Sequence, residues 1–174
     1  MKHYQVMIAG GGAAGCIAAL RLKETGIETA LVEAGDRLLK KLLVTGNGRC
    51  NITNQKLIAP SDVTPFYSCQ DPSFAYDPLY EQDASKAIAF FGELGLPLTT
   101  LEEGKMYPKS LQASSVSDLI RLRLEELEVP VFLSHRVKTI RQTKTGFAIQ
   151  TASEPFTADY VLVAAGGSAM PAMG

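Results

Sequence analysis

Three glycines near the start of the chain, Gly10, Gly12 and Gly15, have the G-x-G-x-x-G spacing of a dinucleotide-binding turn. In this pattern the first glycine permits a tight turn, the second lets the backbone approach a diphosphate, and the third lets a helix pack closely on a strand. The carboxylate of Glu33 can accept hydrogen bonds from an adenosine ribose. These residues predict nucleotide binding. The alternative is a glycine-rich turn that only packs a strand–helix–strand unit.

The residues around these glycines must form the strand, helix and second strand that such a turn joins. The apolar run of residues 5–9 predicts a strand buried on both faces, and residues 13–25 predict a helix that Gly26 can end. Residues 27–32 predict the second strand, which Glu33 closes. The positive end of the helix would then point at the phosphate groups. Because these features agree, they favour nucleotide binding over the packing alternative.

Two later glycine turns are further candidates for chemistry. The loop of residues 46–51, GNGRCN, offers the planar five-donor guanidinium of Arg49 and the amide of Asn51, which suit an anionic or polar ligand. The alternative for Asn51 is turn and capping chemistry. Cys50 is either a reactive thiol beside a cation or a small buried hydrophobic residue. Gly166 follows a third apolar strand, which is predicted to be buried, and lies either at the ligand-binding edge of a sheet or in a simple exit turn.

The rest of the chain predicts more helices and a set of short strands. Asp83 caps a helix that runs to about residue 94, and a further helix covers about residues 114–127. Strands are predicted in a hairpin within residues 96–107 and at residues 131–133, 137–143, 147–151, 156–158 and 160–165. The fold class is therefore α/β: a doubly wound, Rossmann-like parallel sheet with a small antiparallel β-meander.

The composition is that of an ordinary globular protein, with 174 residues, 46% of them hydrophobic, 20% charged and a net charge of −1. This near-neutral charge provides no field that would recruit nucleic acid or an anionic membrane. The odd number of cysteines, without C-x-x-C spacing, argues against a disulfide framework and a zinc site. With no signal-peptide pattern and no membrane-length apolar run, a cytoplasmic location is expected. No acid–base or nucleophile motif is present, so any chemistry must come from a cofactor.

Four segments together resemble one family, the HI0933-like flavoproteins, also called BaiN-like or NAD(P)/FAD-dependent oxidoreductases. They are IAGGGAAG at residues 8–15, KKLLVTGNGRCNITN at 40–54, EEGKMYP at 102–108 and ADYVLVAAGG at 158–167. The GNGRCN block is the most specific of them, because ordinary NAD dehydrogenases do not carry it.

The resemblance implies that the chain is similar to the part of a flavin-dependent oxidoreductase that binds FAD noncovalently, with NAD(P)H as a possible electron donor. Hydride would pass between FAD and an organic substrate or NAD(P)H, and no catalytic side chain is assigned. The implied cofactor contacts are Gly10, Gly12, Ala13, Ala14 and Gly15 at the diphosphate, Glu33 at the adenosine ribose, the next residue Ala34, Val137 at the adenine through its backbone, Gly48, Arg49, Cys50 and Asn51 toward the flavin, and Ala165 and Gly166 at the family's A-T-G-G turn.

The chain departs from the family pattern at three places. Ala165 stands where threonine is usual, and Lys105 where arginine is common, which weakens a planar bidentate contact. Family members also continue past Gly174 into an inserted substrate domain and a returning strand that covers the flavin. Residues 1–174 are therefore expected to be an incomplete FAD-binding domain, a fragment of a longer protein.

An incomplete sheet would leave an apolar strand edge unpaired, through which the chain could associate with itself or with a partner chain. Two alternatives to a flavin-dependent oxidoreductase therefore stay open. One is a non-catalytic nucleotide-binding half that docks on another polypeptide. The other is an NAD-binding Rossmann domain, for which Glu33 would serve equally well.

Overall fold

The computed structural model of the chain describes residues 1–66, 71, 74 and 76–167. Within these residues the helices are α1 (Ala13–Glu24), α2 (Tyr76–Glu81), α3 (Ala84–Glu93) and α4 (Ala113–Glu126). The strands are β1 (Lys2–Ala9), β2 (Thr29–Val32), β3 (Thr53–Asn54), β4 (Leu98–Thr100), β5 (Lys105–Pro108), β6 (Val131–Phe132), β7 (Val137–Thr143), β8 (Gly146–Thr151) and β9 (Pro155–Val163).

The chain divides into two compact units. The first comprises Met1–Leu43 and Ser117–Gly174, and the second comprises Val44–Val116. Assignment of both units to one FAD-binding domain of residues 1–174 stays a prediction.

A mixed sheet forms the centre of the first unit. Its described strands follow the order β6–β2–β1–β9–β8–β7. β6, β2, β1 and β9 are parallel neighbours, whereas β7, β8 and β9 form an antiparallel meander. This arrangement confirms the predicted α/β class, the Rossmann-like parallel sheet and the β-meander.

Both faces of β1 are covered, which explains why its apolar run is continuous rather than alternating. Met7 and Ala9 belong to a core cluster with Ile149 and Phe156 of the meander. On the other face α1 packs against β1 and β2, and Ile8 contacts the helix beside Gly15. The start of the chain therefore lies at the centre of the sheet, between a helix and the meander.

The strand β9 differs from the sequence prediction in two respects. The predicted strands at residues 156–158 and 160–165 are one continuous strand, because pairing with β1 keeps the same register on both sides of Asp159, whereas pairing with β8 ends at Ala158. Its second half was predicted to be buried, and that prediction was wrong. Among the described residues, Tyr160–Val163 pair with β1 alone, and Tyr160 and Val163 are 70% and 65% exposed.

The second unit contains a small antiparallel sheet in the order β3–β5–β4. The predicted hairpin corresponds to β4 and β5, which are joined by a turn at Glu102–Gly104. Asp83 caps α3 as predicted, with its carboxylate accepting the backbone N–H of Lys86. In the part of the chain that the structure describes, no helix is both long enough and apolar enough to cross a membrane.

Candidate functional site

The turn after β1 leaves no room for a side chain at its first glycine. Gly10 has a φ of +118°, and its N–H donates to the Val32 carbonyl at 2.9 Å. A Cβ on Gly10 would lie 2.3 Å from the carbonyl oxygen of Ala164, at the end of β9. Only glycine can therefore pass between the ends of β2 and β9 in this conformation.

The second and third glycines of the motif have different surroundings. A Cβ on Gly15 would lie 1.9 Å from the Gly10 carbonyl oxygen, so glycine is needed for α1 to start against the turn. A Cβ on Gly12 would meet nothing within 4 Å, and its φ of −77° is open to any residue. The fold itself does not require glycine at position 12. A ligand that approaches the backbone there would require it.

The first turn of α1 has the properties of an anion site. Gly12 occupies the N-cap position, so no side chain caps the helix, and the first turn contains no acidic residue. Ala13 and Ala14 are exposed. The first N–H groups of a helix lack acceptors within the helix and carry partial positive charge, which suits phosphate oxygens.

Glu33 is fixed at the end of β2 by two backbone donors. Its Oε2 accepts the N–H of Gly11 at 2.6 Å, and its Oε1 accepts the N–H of Gly35 at 2.6 Å. Each carboxylate oxygen can accept a further hydrogen bond, so donors such as ribose hydroxyls can still be bound. Gly11 and Gly35 were not among the site residues predicted from the sequence. The sequence offered two signals for them: Gly11 is the middle glycine of the GGG run, and Gly35 follows Glu33 closely in EAGD.

The segment between β6 and β7 lies against the residues that follow β2. His135 donates its N–H to the Glu33 carbonyl at 2.8 Å, and Ser134 donates to the Gly35 carbonyl at 2.7 Å. Val137 starts β7 two residues beyond His135 and is half-buried. Ala34, also half-buried, lies between the two residues that these hydrogen bonds hold. Val137, which is predicted to contact the adenine, therefore lies two residues after His135, whose N–H is hydrogen-bonded to the Glu33 carbonyl.

The turn after β9 lies beside the turn after β1. The N–H of Ala164 donates to the Ala9 carbonyl at 2.8 Å, and a Cβ on Gly10 would lie 3.0 Å from the Cα of Ala165. Gly166 has a φ of +84°, a conformation that favours glycine, and both Ala165 and Gly166 are exposed. At this edge of the sheet the structure thus collects the predicted residues Gly10, Gly12, Ala13, Ala14, Gly15, Glu33, Ala34, Ala165 and Gly166.

The GNGRCN loop belongs to the second unit and is tightly folded. Gly46, Asn47, Gly48 and Cys50 all have left-handed backbone conformations. Arg49 donates its backbone N–H and its Nε to the Gly46 carbonyl, at 3.2 and 3.3 Å. Its guanidinium carbon lies 5.0 Å from the centre of the Tyr107 ring, within the range of a cation–π contact. The orientation of Arg49 is therefore set by neighbours in its own unit.

A cavity of about 240 Å³ adjoins Arg49. It is lined by Arg49, Leu101, Glu102, Lys105 and Tyr107. The cavity thus brings together Arg49, Lys105 and Tyr107, which come from two of the segments that resemble the HI0933-like flavoproteins. Lys105 also pairs with Glu103 at 2.5 Å, so the charge around the cavity is mixed.

The amide of Asn51 and the thiol of Cys50 have roles within the loop. Asn51 donates its Nδ2 to the Met106 carbonyl at 3.1 Å and to the Thr53 carbonyl at 3.2 Å, which holds the loop against β5. Cys50 is buried, and burial raises the pKa of its thiol. These contacts favour the turn role for Asn51 and the buried hydrophobic role for Cys50. The joint contact of this loop and the Gly10 turn with one ligand stays a prediction.

Residues 4–174 match the family model described as HI0933-like protein Rossmann domain. The chain is 34% identical, over 172 residues, to the 3-dehydro-bile acid delta(4,6)-reductase of Clostridium scindens, a match that covers 98% of this chain and 41% of the relative. It is 26% identical to the ribosomal RNA dihydrouridine synthase of Haemophilus influenzae, covering 99% of this chain and 43% of the relative. The chain thus spans less than half the length of these curated relatives.

A solved structure has the same fold. The 3-ketosteroid-delta4-(5alpha)-dehydrogenase from Rhodococcus jostii RHA1 matches with a TM-score of 0.65 and 14% identity, over 93% of this chain and 45% of that chain. At this level of identity the likeness concerns the fold.

Proposed function

The chain belongs to the HI0933-like protein family, whose Rossmann domain it carries, and from this we propose that it is the FAD-binding portion of a flavin-dependent oxidoreductase. The reaction of the whole protein would transfer hydride between FAD and an organic substrate or NAD(P)H. One curated relative is named a reductase, and the other is named for dihydrouridine, a reduced product. Both names support hydride transfer from the flavin to the substrate.

The observation that carries the proposal is the contrast among the three glycines. Gly10 and Gly15 are required by protein packing, whereas Gly12 faces open space at the N-terminus of α1. An anionic group in that space would meet backbone N–H groups with no competing acidic side chain in the first turn. The residues present therefore fit the diphosphate of a dinucleotide.

The other contacts of the first unit fit the two ends of such a molecule. On the β2 side Glu33 offers a carboxylate, fixed by Gly11 and Gly35, to ribose hydroxyls. On the β9 side Ala165 and Gly166 present exposed backbone without bulky side chains. FAD, when bound, supplies the group that accepts and donates hydride. The role of the protein residues is to bind and orient it, and no side chain in the first unit is assigned a proton transfer.

Contacts of Gly48, Arg49, Cys50 and Asn51 with the flavin end form part of the proposal. Arg49 supports it best, because its guanidinium is held against Tyr107 and borders a cavity. In this role Arg49 would offer a fixed, planar set of donors to a polar or anionic group. NAD(P)H as electron donor and a cytoplasmic location also remain predictions from the sequence.

A binding titration tests the proposal. The full chain is titrated with FAD and, separately, with NAD, while flavin fluorescence and absorbance are followed. We expect FAD to bind more tightly than NAD and to acquire the perturbed spectrum of a bound flavin. Tighter binding of NAD would favour the NAD-binding Rossmann domain, and a chain that binds neither nucleotide would contradict the proposal.

The second candidate is a non-catalytic nucleotide-binding half that docks on another polypeptide. One observation favours it: among the described residues, the second half of β9 pairs with β1 alone and exposes Tyr160, Leu162 and Val163. An unpaired apolar strand edge promotes association with another chain. Sedimentation velocity of the chain with and without FAD tests this candidate. A monomer in both cases, together with flavin reduction by NAD(P)H, would rule it out.

A further inference from the structure

The segment that follows the Glu33 loop is anchored on the first glycine turn. Leu39 donates its N–H to the Gly11 carbonyl at 2.8 Å, and a Cβ on Gly11 would lie 2.4 Å from Cδ2 of Leu38. Both leucines are buried. Leu39 has a φ of +61°, an unfavourable conformation for a leucine that persists only when the surroundings hold it. The backbone direction after Leu39 is therefore fixed relative to Gly11.

The side chains of two consecutive lysines, Lys40 and Lys41, extend from this anchored segment to different loops. Lys40 forms an ion pair with Asp36 at 2.6 Å, and its Nζ lies 3.4 Å from the point where a Cβ on Gly35 would stand. Lys41 is half-buried, and its Nζ lies 3.8 Å from the corresponding point on Gly166. Lys40 thus forms its ion pair within the loop after β2, whereas the side chain of Lys41 extends to the turn after β9.

The position of the Lys41 ammonium follows from these contacts. Its backbone is two residues from Leu39, which is bonded to Gly11, and Gly11 precedes the N-cap of α1. Its side chain ends beside Gly166, in the turn whose residue Ala165 has its Cα 3.0 Å from the point where a Cβ on Gly10 would stand. Lys41 therefore connects the first and third glycine turns at the edge where the helix N-terminus lies. A full positive charge there adds to the partial charge of the helix end.

We infer that Lys41 is a diphosphate-binding residue of the nucleotide site, an inference that rests on the proposed function. The ammonium contacts phosphate oxygens from the β9 side while the N-terminus of α1 contacts them from the other. Lysine is a common phosphate ligand and acts as a compact point charge. Because the side chain is half-buried, its attraction for phosphate is screened less than that of an exposed lysine.

The test uses Lys41→Met in the full chain, with Lys40→Met as the matched control and Lys41→Arg as the charge-retaining variant. Three probes are titrated: FAD, ADP, which keeps the diphosphate and lacks the flavin, and riboflavin, which lacks phosphate. We expect Lys41→Met to weaken FAD and ADP binding by about 10- to 100-fold, the range for a charge-assisted hydrogen bond. Riboflavin binding should not change, Lys40→Met should stay within about twofold of the wild type, and Lys41→Arg should retain most affinity.

A salt titration supplies a second readout. The logarithm of FAD affinity should fall less steeply with the logarithm of salt concentration in Lys41→Met than in the wild type, because one charge contact is lost. Equal FAD affinity in Lys41→Met and the wild type would overturn the inference. So would a loss for FAD and riboflavin that spares ADP, since that pattern places Lys41 at the flavin ring. If the wild type binds ADP but not FAD, the flavin proposal fails while the Lys41 comparison on ADP still decides this inference.

Discussion

The carbonyl oxygen of Gly10 occupies the space that a side chain on Gly15 would need, 1.9 Å from the position of its Cβ. This contact brings the start of α1 against the turn after β1. Gly12, between these two residues, has no such neighbour. The G-x-G-x-x-G pattern therefore separates into two residues that the fold requires and one that a ligand would require.

Gly15→Ala should destabilise the fold itself. The added methyl would overlap a backbone carbonyl that cannot rotate away, so we expect the free energy of unfolding to fall by about 1–3 kcal/mol or more. Urea unfolding measures the change. Gly92→Ala is the matched control, because Gly92 lies in α3 and a Cβ there meets nothing within 4 Å. That variant should be unchanged or more stable, since alanine favours a helix. A Gly15→Ala protein as stable as the wild type would contradict the packing argument.

Gly12→Ala should weaken nucleotide binding while leaving the fold largely intact. Its open surroundings and ordinary φ leave room for the methyl, and the exchange of glycine for the less favourable alanine at the N-cap should lower the free energy of unfolding by no more than about 1 kcal/mol. Affinity for FAD and ADP should fall about tenfold or more, because the methyl occupies the approach to the helix N-terminus. The measurement pairs urea unfolding with a fluorescence titration of FAD. Unchanged affinity in a stable Gly12→Ala protein would remove Gly12 from the binding site.

Glu33→Gln should affect both stability and binding. The two carboxylate oxygens accept the N–H groups of Gly11 and Gly35, and an amide NH₂ would place a donor against one of them. The lost charge-assisted bond predicts a decrease of about 1.5–3 kcal/mol in the free energy of unfolding. Nucleotide affinity should fall as well, for ADP as much as for FAD. Glu125→Gln, on the exposed face of α4, is a control that should change neither quantity.

The elements around the glycine motif could be predicted from the sequence because their signals are local. α1 was expected at residues 13–25 and covers Ala13–Glu24, and β7 has the bounds that were predicted for it. The apolar pattern, the N-cap residue and the glycine that ends a helix all lie within a few positions of the element they define.

Other features could not be predicted because they depend on distant residues. The exposure of Tyr160 and Val163 follows from which strand lies beside β9, and an apolar run does not contain that information. The bond between Gly11 and Glu33 depends on the shape of the turn after β1. The direction of Lys41 depends on the left-handed conformation of Leu39, which is unusual for that residue type.

The cap of α3 predicts a pH dependence of stability. Asp83 accepts hydrogen bonds from the hydroxyl of Ser85 and from the N–H groups of Ala59 and Lys86, which lower its pKa from 3.8 to about 2. The charged form is favoured in the folded state, so this stabilisation is complete above about pH 4 and is lost as the pH falls through about 2. Urea unfolding between pH 2 and pH 6 should show a smaller decrease for Asp83→Asn, which is already less stable at pH 6. Parallel curves for the two proteins would contradict the prediction.

The thiols of Cys16 and Cys50 should be unreactive in the folded protein. Burial, with a smaller contribution from the charge of Glu33, raises the pKa of Cys16 to about 12, and burial also raises the pKa of Cys50. Both thiols are therefore protonated near neutral pH as well as shielded from solvent. Iodoacetamide at pH 8 should label neither in the native state and both in guanidinium chloride, as measured by peptide mass spectrometry. The experiment uses a Cys69→Ser background, because Cys69 lies outside the described residues. Rapid native labelling of Cys50 would instead support the reactive thiol that its position beside Arg49 suggests.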